Sequence, residues 1–175
     1  MKQFGLCFDQ TRCTGCETCV VACKDWNDIP AGPAFWIRVA TTEQGNFPNV
    51  LVSFMARACY HCAEPPCVPA CPTGASYRRP DGIVLIDRDT CVGCGLCLEA
   101  CPYSARHFDP ASRKMGKCTS CAHLLERGER PACVKTCTTG ASAFGDLNDP
   151  ASDAPRVLRP SARFILRKQR WRGRG

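Results

Sequence analysis

The chain has 175 residues, 17 of them cysteine, 14 glycine and 14 proline, with a formal charge of +7. Leu, Ile, Val and Phe together make about 19% of it, too little for a conventional apolar core. These figures exclude a large all-protein active site and point to cross-links or metal centres as what holds the interior together.

In chain order, Phe4 to Phe8 reads as a first strand, with Cys7 set among alternating apolar residues. Cys7 is expected to be a buried small hydrophobe. A first cysteine group follows at Cys13, Cys16, Cys19 and Cys23. Trp26 and Trp36 lie beyond it and are expected to pack around a metal centre. Residues 51–54 read as a second strand. The second group is Cys59, Cys62, Cys67 and Cys71, and residues 82–87 form a strand after it. The third group, Cys91, Cys94, Cys97 and Cys101, leads into a strand over 105–109. The fourth is Cys118, Cys121, Cys133 and Cys137. Pro150, Pro155 and Pro160 then mark a linker into a tail whose residues 156–175 carry seven arginines, one lysine and no acid.

Groups one and three share the spacing C-x2-C-x2-C-x3-C, the bacterial ferredoxin run. Three thiolates two residues apart fit a tight loop around three corners of a cuboidal cluster. Gly15, Gly93 and Gly95 let the backbone approach closely. The fourth cysteine is expected to open a short helix and to ligate the neighbouring cluster. Pro72 and Pro102 follow it in groups two and three.

Two other uses of cysteine compete. A disulfide framework suits secreted chains. This sequence begins Met1-Lys2-Gln3-Phe4-Gly5-Leu6, without an apolar h-region, and no run approaches the roughly 18–20 apolar residues of a membrane span. The expectation is a cytoplasmic protein with no direct membrane span, unless a signal-bearing partner exports it. Structural zinc suits group four taken alone, as C-x2-C-x11-C-x3-C. The third cysteine of groups one and three has no place in such a site, and the fourfold recurrence favours [4Fe–4S] clusters.

Loop length suggests how the groups pair. Between Cys71 and Cys91 lie only a turn, a strand and a loop, so groups two and three pair, leaving one and four to pair across the chain. Exchange of fourth cysteines then gives four ligand sets: Cys13, Cys16, Cys19 with Cys137; Cys118, Cys121, Cys133 with Cys23; Cys59, Cys62, Cys67 with Cys101; and Cys91, Cys94, Cys97 with Cys71. Sequential pairing, one with two and three with four, is the alternative. The expected fold is α+β: two nested ferredoxin-like modules, each binding two [4Fe–4S] clusters, with little regular secondary structure. Residues 1–58 and 105–149 form the halves of the outer module, 59–104 the inner one and 150–175 the tail. A compact chain of this length has a radius of gyration of roughly 16 Å. Four one-electron centres in that volume make a wire, and no catalytic residue is expected in this chain.

The segments Cys13-Thr14-Gly15-Cys16-Glu17-Thr18-Cys19, Ala22-Cys23-Lys24-Asp25, Cys59-Tyr60-His61-Cys62, Pro65-Pro66-Cys67 and Cys118-Thr119-Ser120-Cys121 resemble the four-cluster iron–sulfur subunits of the dimethyl sulfoxide reductase family. The resemblance covers about residues 1–147. It implies four [4Fe–4S] clusters and a larger catalytic subunit holding tungsten or molybdenum on pyranopterin. The compact size looks more like the polyferredoxin subunit of tungsten aldehyde oxidoreductases, which implies a flavin subunit using NAD as second redox partner. The expected function is electron relay between those two. The alternatives are a dimethyl sulfoxide reductase-type or formate dehydrogenase-type molybdoenzyme, and a free polyferredoxin.

His61 and His107 flank cluster motifs and are expected mainly to pack, and His123 to lie on the surface. Glu17, Asp25, Asp28 and Glu64 are candidates for shifting cluster potentials. The tail over 156–175 is expected to dock on an acidic partner or on a second copy, not on nucleic acid. Clusters of about −2 each turn the +7 into a holo charge near −1.

Overall fold

The computed structural model describes residues 2–154. In chain order it comprises β1 (Phe4–Phe8), a 3-10 turn (Gln10–Arg12), α1 (Thr18–Trp26), β2 (Ile37–Asn46), β3 (Asn49–Ala58), β4 (Ser76–Arg78), β5 (Val84–Ile86), α2 (Leu96–Glu99), β6 (His107–Asp109), β7 (Lys114–Gly116), α3 (Ala122–Leu125), α4 (Ala132–Lys135) and β8 (Ser142–Asp146). The strands form four separate antiparallel pairs: β1 with β8, β2 with β3, β4 with β5 and β6 with β7.

The β1–β8 pair joins the two ends of the described residues, from Phe4 opposite Asp146 to Phe8 opposite Ser142. Alternation in Phe4-Gly5-Leu6-Cys7-Phe8 sets this register, and Phe4 stacks on Phe144 with ring centroids 5.3 Å apart. Gln3 fastens the pair to the middle of the chain. The Phe4 amide donates to the Asp81 carbonyl at 2.9 Å, and Arg78 Nη2 donates to Gln3 Oε1 at 2.7 Å. The hairpin β4–β5 therefore sits against the β1–β8 pair.

The interior is small residues and thiols. One apolar cluster gathers Phe8, Val20, Cys23, Ile29, Ile37, Ala56, Ala58 and Ala141. A second gathers Cys67, Ala75, Val84, Cys91, Cys97 and Met115. A third, around fully buried Leu124, includes Ala22, Cys121 and Ala132. Cysteine supplies part of each, which is how so low an apolar content still forms an interior.

The structure extends and corrects the elements read from sequence. The strand expected at 51–54 is a ten-residue strand, β3, paired with β2 from Ile37 opposite Ala58 to Asn46 opposite Asn49. The polar run Thr41-Thr42-Glu43-Gln44 hid β2, because this half of the hairpin is solvated on both faces. The strands at 82–87 and 105–109 are shorter, Val84–Ile86 and His107–Asp109. The fourth cysteine does not open a helix. The third one sits at its start, as Cys19 in α1, Cys97 in α2 and Cys133 in α4. Left-handed residues Glu17 and Gly95 turn the chain just ahead of α1 and α2, and the x3 spacing then sets the fourth cysteine one helical turn on. Among the described residues no helix is long and apolar enough to cross a membrane. The tail over 156–175 lies outside the described residues.

Candidate metal centres and the row they form

Sixteen of the cysteines gather in four sets of four, and each set draws its members from two distant groups. Cys59, Cys62, Cys67 and Cys101 line one cavity, walled by Pro65, Pro66, Pro102 and Val84. Cys71, Cys91, Cys94 and Cys97 line another, walled by Ile86, Met115 and Arg106. Cys19 faces Cys13, Cys137 and Cys16; burial first and then these thiols push it up to about 11. Cys133 faces Cys118, Cys121 and Cys23, and burial with those neighbours holds it well above the ordinary thiol range. The fourth group is thereby divided: Cys118, Cys121 and Cys133 meet Cys23, whereas Cys137 joins the first group. A zinc site built from the fourth group alone does not form.

The turn before the second cysteine is the same in all four groups. Gly15, His61, Gly93 and Ser120 all adopt positive φ, at 71°, 44°, 70° and 53°. Glycine takes this conformation without steric cost; His61 and Ser120 need another reason to hold it. They hold each other. The Val84 amide donates to His61 Nδ1 at 2.9 Å, so the proton of the neutral ring is on Nε2, which lies 2.9 Å from Ser120 Oγ. Burial, then the nearby Lys117, keeps His61 well below the usual imidazole range.

The sets are consecutive neighbours. Cys133 senses Cys19 of the first set, Cys118 senses Cys59, and Cys97 senses Cys67. The order is therefore Cys13/Cys16/Cys19/Cys137, then Cys118/Cys121/Cys133/Cys23, then Cys59/Cys62/Cys67/Cys101, then Cys91/Cys94/Cys97/Cys71. Exposed Cys16 and Cys94 stand in the first and last sets.

Neutral and charged donors face the sulfurs. Asn27 Nδ2 lies 3.8 Å from Cys23 Sγ and 3.9 Å from Cys121 Sγ. Amides of Ser76 and Ser120 donate to Cys71 and Cys118, each at 3.4 Å. Thr18 Oγ1 donates to Cys16 at 3.4 Å and is the main reason that thiol is lowered. Arg106, only 4% exposed, donates from Nη2 to Cys67 Sγ at 2.7 Å and to Ser76 Oγ at 2.8 Å. Lys117, 2% exposed, donates from Nζ to the Val84 carbonyl and to the Cys118 carbonyl at 2.8 Å. Burial lowers Lys117, against the pull of Cys59 and Cys118.

These arrangements fit [4Fe–4S] clusters. Each set offers four thiols, the donor number a cubane takes. Burying thiolates so close together is unfavourable without a cation among them, as the raised Cys19, Cys62 and Cys118 thiols record. Among the described residues no group of three or more His, Cys, Asp or Glu is placed to hold a single ion.

Sequence reasoning missed Arg106, Lys117 and Asn27, which resemble surface residues in a linear reading. The adjacency of Lys117 to Cys118 was the one available signal. The acids Glu17, Asp25, Asp28 and Glu64 are all exposed, and solvent screens them from the thiols. Trp36 does pack on the core, 6.3 Å from the His107 ring, but Trp26 is 44% exposed with Lys135 over its face. His123 is exposed and Cys7 is buried.

The sequence matches the 4Fe-4S dicluster domain family over residues 50–147, and a second 4Fe-4S dicluster family over 12–76. It is 45% identical to the B component of sulfite dehydrogenase from Allochromatium vinosum, over 95% of this chain and 78% of that protein. It is 42% identical to the B component of polysulfide reductase from Wolinella succinogenes, over 90% of this chain and 83% of the relative. A protein of Halobacterium salinarum, named as a candidate iron-sulfur B component of dimethyl sulfoxide reductase, is 40% identical over 90% of this chain and 71% of its own length. The protein is thus a member of the 4Fe-4S dicluster family, among the iron–sulfur subunits of the dimethyl sulfoxide reductase type.

Proposed function

We propose, from that membership, that the chain is the electron-relay subunit of a multi-subunit molybdoenzyme and holds four [4Fe–4S] clusters in one row. The observation that carries the reading is the row itself, in which a thiol of each set lies near enough to the next to interact with it electrostatically. When bound, each cluster supplies a site for one electron. The polypeptide holds the four sites in line, keeps the thiols of the two middle sets buried or half-buried and leaves one thiol of each end set exposed. The ligands are the sixteen cysteines in the four sets above, and Cys7 is not one. The nested division, with 59–104 inside 1–58 and 105–149, is part of this reading; the β1–β8 pair supports it.

The catalytic partner is a molybdenum-pyranopterin subunit of the dimethyl sulfoxide reductase type. The relatives' names favour that alternative over a tungsten aldehyde oxidoreductase with a flavin subunit: they are the B components of a sulfite dehydrogenase, a polysulfide reductase and a dimethyl sulfoxide reductase. The chain is cytoplasmic in this reading.

Iron and sulfide analysis with purification from the native source tests it. The reading expects four irons per set, about sixteen per chain, and a large molybdenum protein retained through every step. Zinc in place of iron, or a fully loaded chain that purifies alone, overturns it.

A further inference from the structure

Only two charged side chains among the described residues are buried, and both are cations, Arg106 and Lys117. Neither has a carboxylate partner among the described residues. Each sits at a junction of the row, and both junctions belong to the same thiol set. Arg106 donates to Cys67 Sγ and also reaches Cys97, so it lies between the third and fourth sets. Lys117 faces Cys59 and Cys67 on one side and Cys118 on the other, between the second and third. The second set also meets the neutral amide of Asn27, at Cys23 and Cys121, and among the described residues no buried cation lies against the first set.

We propose that Arg106 and Lys117 make the cluster held by Cys59, Cys62, Cys67 and Cys101 the highest-potential centre of the row, so that the chain's first electron rests at an interior site. This rests on the ligand sets proposed above.

The reason is electrostatic. Reducing a cluster adds one negative charge to a site that already carries about −2. A cation in low dielectric favours the reduced form far more than one in water. The third set has two such cations, the second and fourth share one each with it, and the first has none. Position is enforced as well as charge. Arg106 is held by the Ser76 hydroxyl, and Lys117 by the Val84 and Cys118 carbonyls. Ser76 and Val84 belong to the hairpin β4–β5, in which Ser76 pairs with Ile86 and Val84 with Arg78. One hairpin therefore fixes both cations. A guanidinium hydrogen-bonded to a ligand sulfur also withdraws electron density from it, which acts in the same direction. An interior resting site lets an electron enter from one end of the row before the acceptor at the other end is engaged.

The test is a redox titration of the iron-loaded full chain, followed by electron paramagnetic resonance. Cys62→Ser marks the signal of the third set. In the wild type that signal is expected to appear first on reduction. In Lys117→Met, which keeps volume and removes charge, and in Arg106→Gln, it is expected to move to lower potential by at least a tenfold shift in the one-electron equilibrium, which is 59 mV. The first-set signal is expected to stay in place. Arg106→Lys keeps the charge but loses the fork to Cys67 and Ser76, so a smaller fall is expected. Unmoved signals in Lys117→Met and Arg106→Lys overturn the proposal even if Arg106→Gln fails to load iron. So does an equal shift of all four signals, or first reduction at another set. Fewer than four clusters in the wild type defeats the ligand sets instead, and iron analysis on the same sample separates the two failures.

Discussion

Asn27 follows Cys23 by four residues and Arg106 follows Cys101 by five, each just beyond the fourth cysteine of a ferredoxin-like run. Both turn back to face sulfurs of two groups, Cys23 and Cys121 in one case, Cys67 and Cys97 in the other. One is a neutral amide near 3.9 Å, the other a buried guanidinium at 2.7 Å. The two halves of the row thus share a ligand spacing and differ in what the protein presents to the sulfurs. The spacing says where metal binds. The residue after it determines the charge that the metal meets.

The halves also differ in what else holds them. The first apolar cluster buries Phe8, Val20, Ile29 and Ile37; the second buries only Ala75, Val84 and Met115 beside its cysteines, with Val68, Ile86 and Leu98 half-buried against it. Iron removal is therefore expected to have the largest effect of any perturbation, and an unequal one. After chelation under reducing conditions, hydrogen exchange should show protection lost at the amides of β4 and β5 while β1 and β8 retain part of theirs. Equal loss in both pairs would mean that the halves fold as one unit.

A second comparison is between Cys7 and the sixteen clustered thiols. Burial alone pushes Cys7 up, from 9.0 to about 11. Its folded value lies above its unfolded one, so its contribution is complete below pH 9 and is lost as the pH rises to 11. That contribution is about 2–3 kcal/mol. Cluster-bound thiolates do not titrate in that range. Denaturant titrations of the loaded chain should show a fall in stability from pH 9 to 11 that is smaller in Cys7→Ala by this amount.

A finer comparison sets Gly15 against Gly93, which hold the same left-handed place in the first and third groups. A methyl at Gly15 meets the Phe54 ring at 2.6 Å, and a side chain can move away. At Gly93 it meets the backbone carbonyl of Arg113, which cannot. Gly15→Ala is expected to cost about 1–2 kcal/mol for the conformation, and Gly93→Ala more. Thermal melts of the two iron-loaded variants rank them.

Much of this was legible because ligand spacing is a covalent constraint. Four repeated runs announce the metal and its number of donors. The short link between Cys71 and Cys91 suggests that groups two and three lie together, and cysteines of both line the same two cavities. Helix position was misread because spacing does not reveal the left-handed turn at Glu17, which glycine marks only in the third group. Arg106 and Lys117 were invisible because a buried cation is recognised by what surrounds it. His61 and Ser120 gave no sign of their bond because they lie 59 positions apart.

The smallest effect belongs to the hairpin β2–β3, and it tests whether that element follows the core at all. Its base is anchored: Ile37 is 3% exposed and pairs with buried Ala58. Its far end carries Phe47 at 92% and Leu51 at 62% exposed, and no residue from Thr41 to Val52 is buried. A side chain with no protein neighbours has nothing to lose on truncation, so Phe47→Ser is expected to change stability by no more than about 0.5 kcal/mol. Ile37→Ala, in the same hairpin, is expected to cost about 2–5 kcal/mol. Denaturant midpoints of the two variants measure the contrast. A loss near 2 kcal/mol at Phe47 would require the tip to be covered in solution. The distal strands would then belong to an interface, since the burial that keeps an apolar ring out of water would have to come from another molecule.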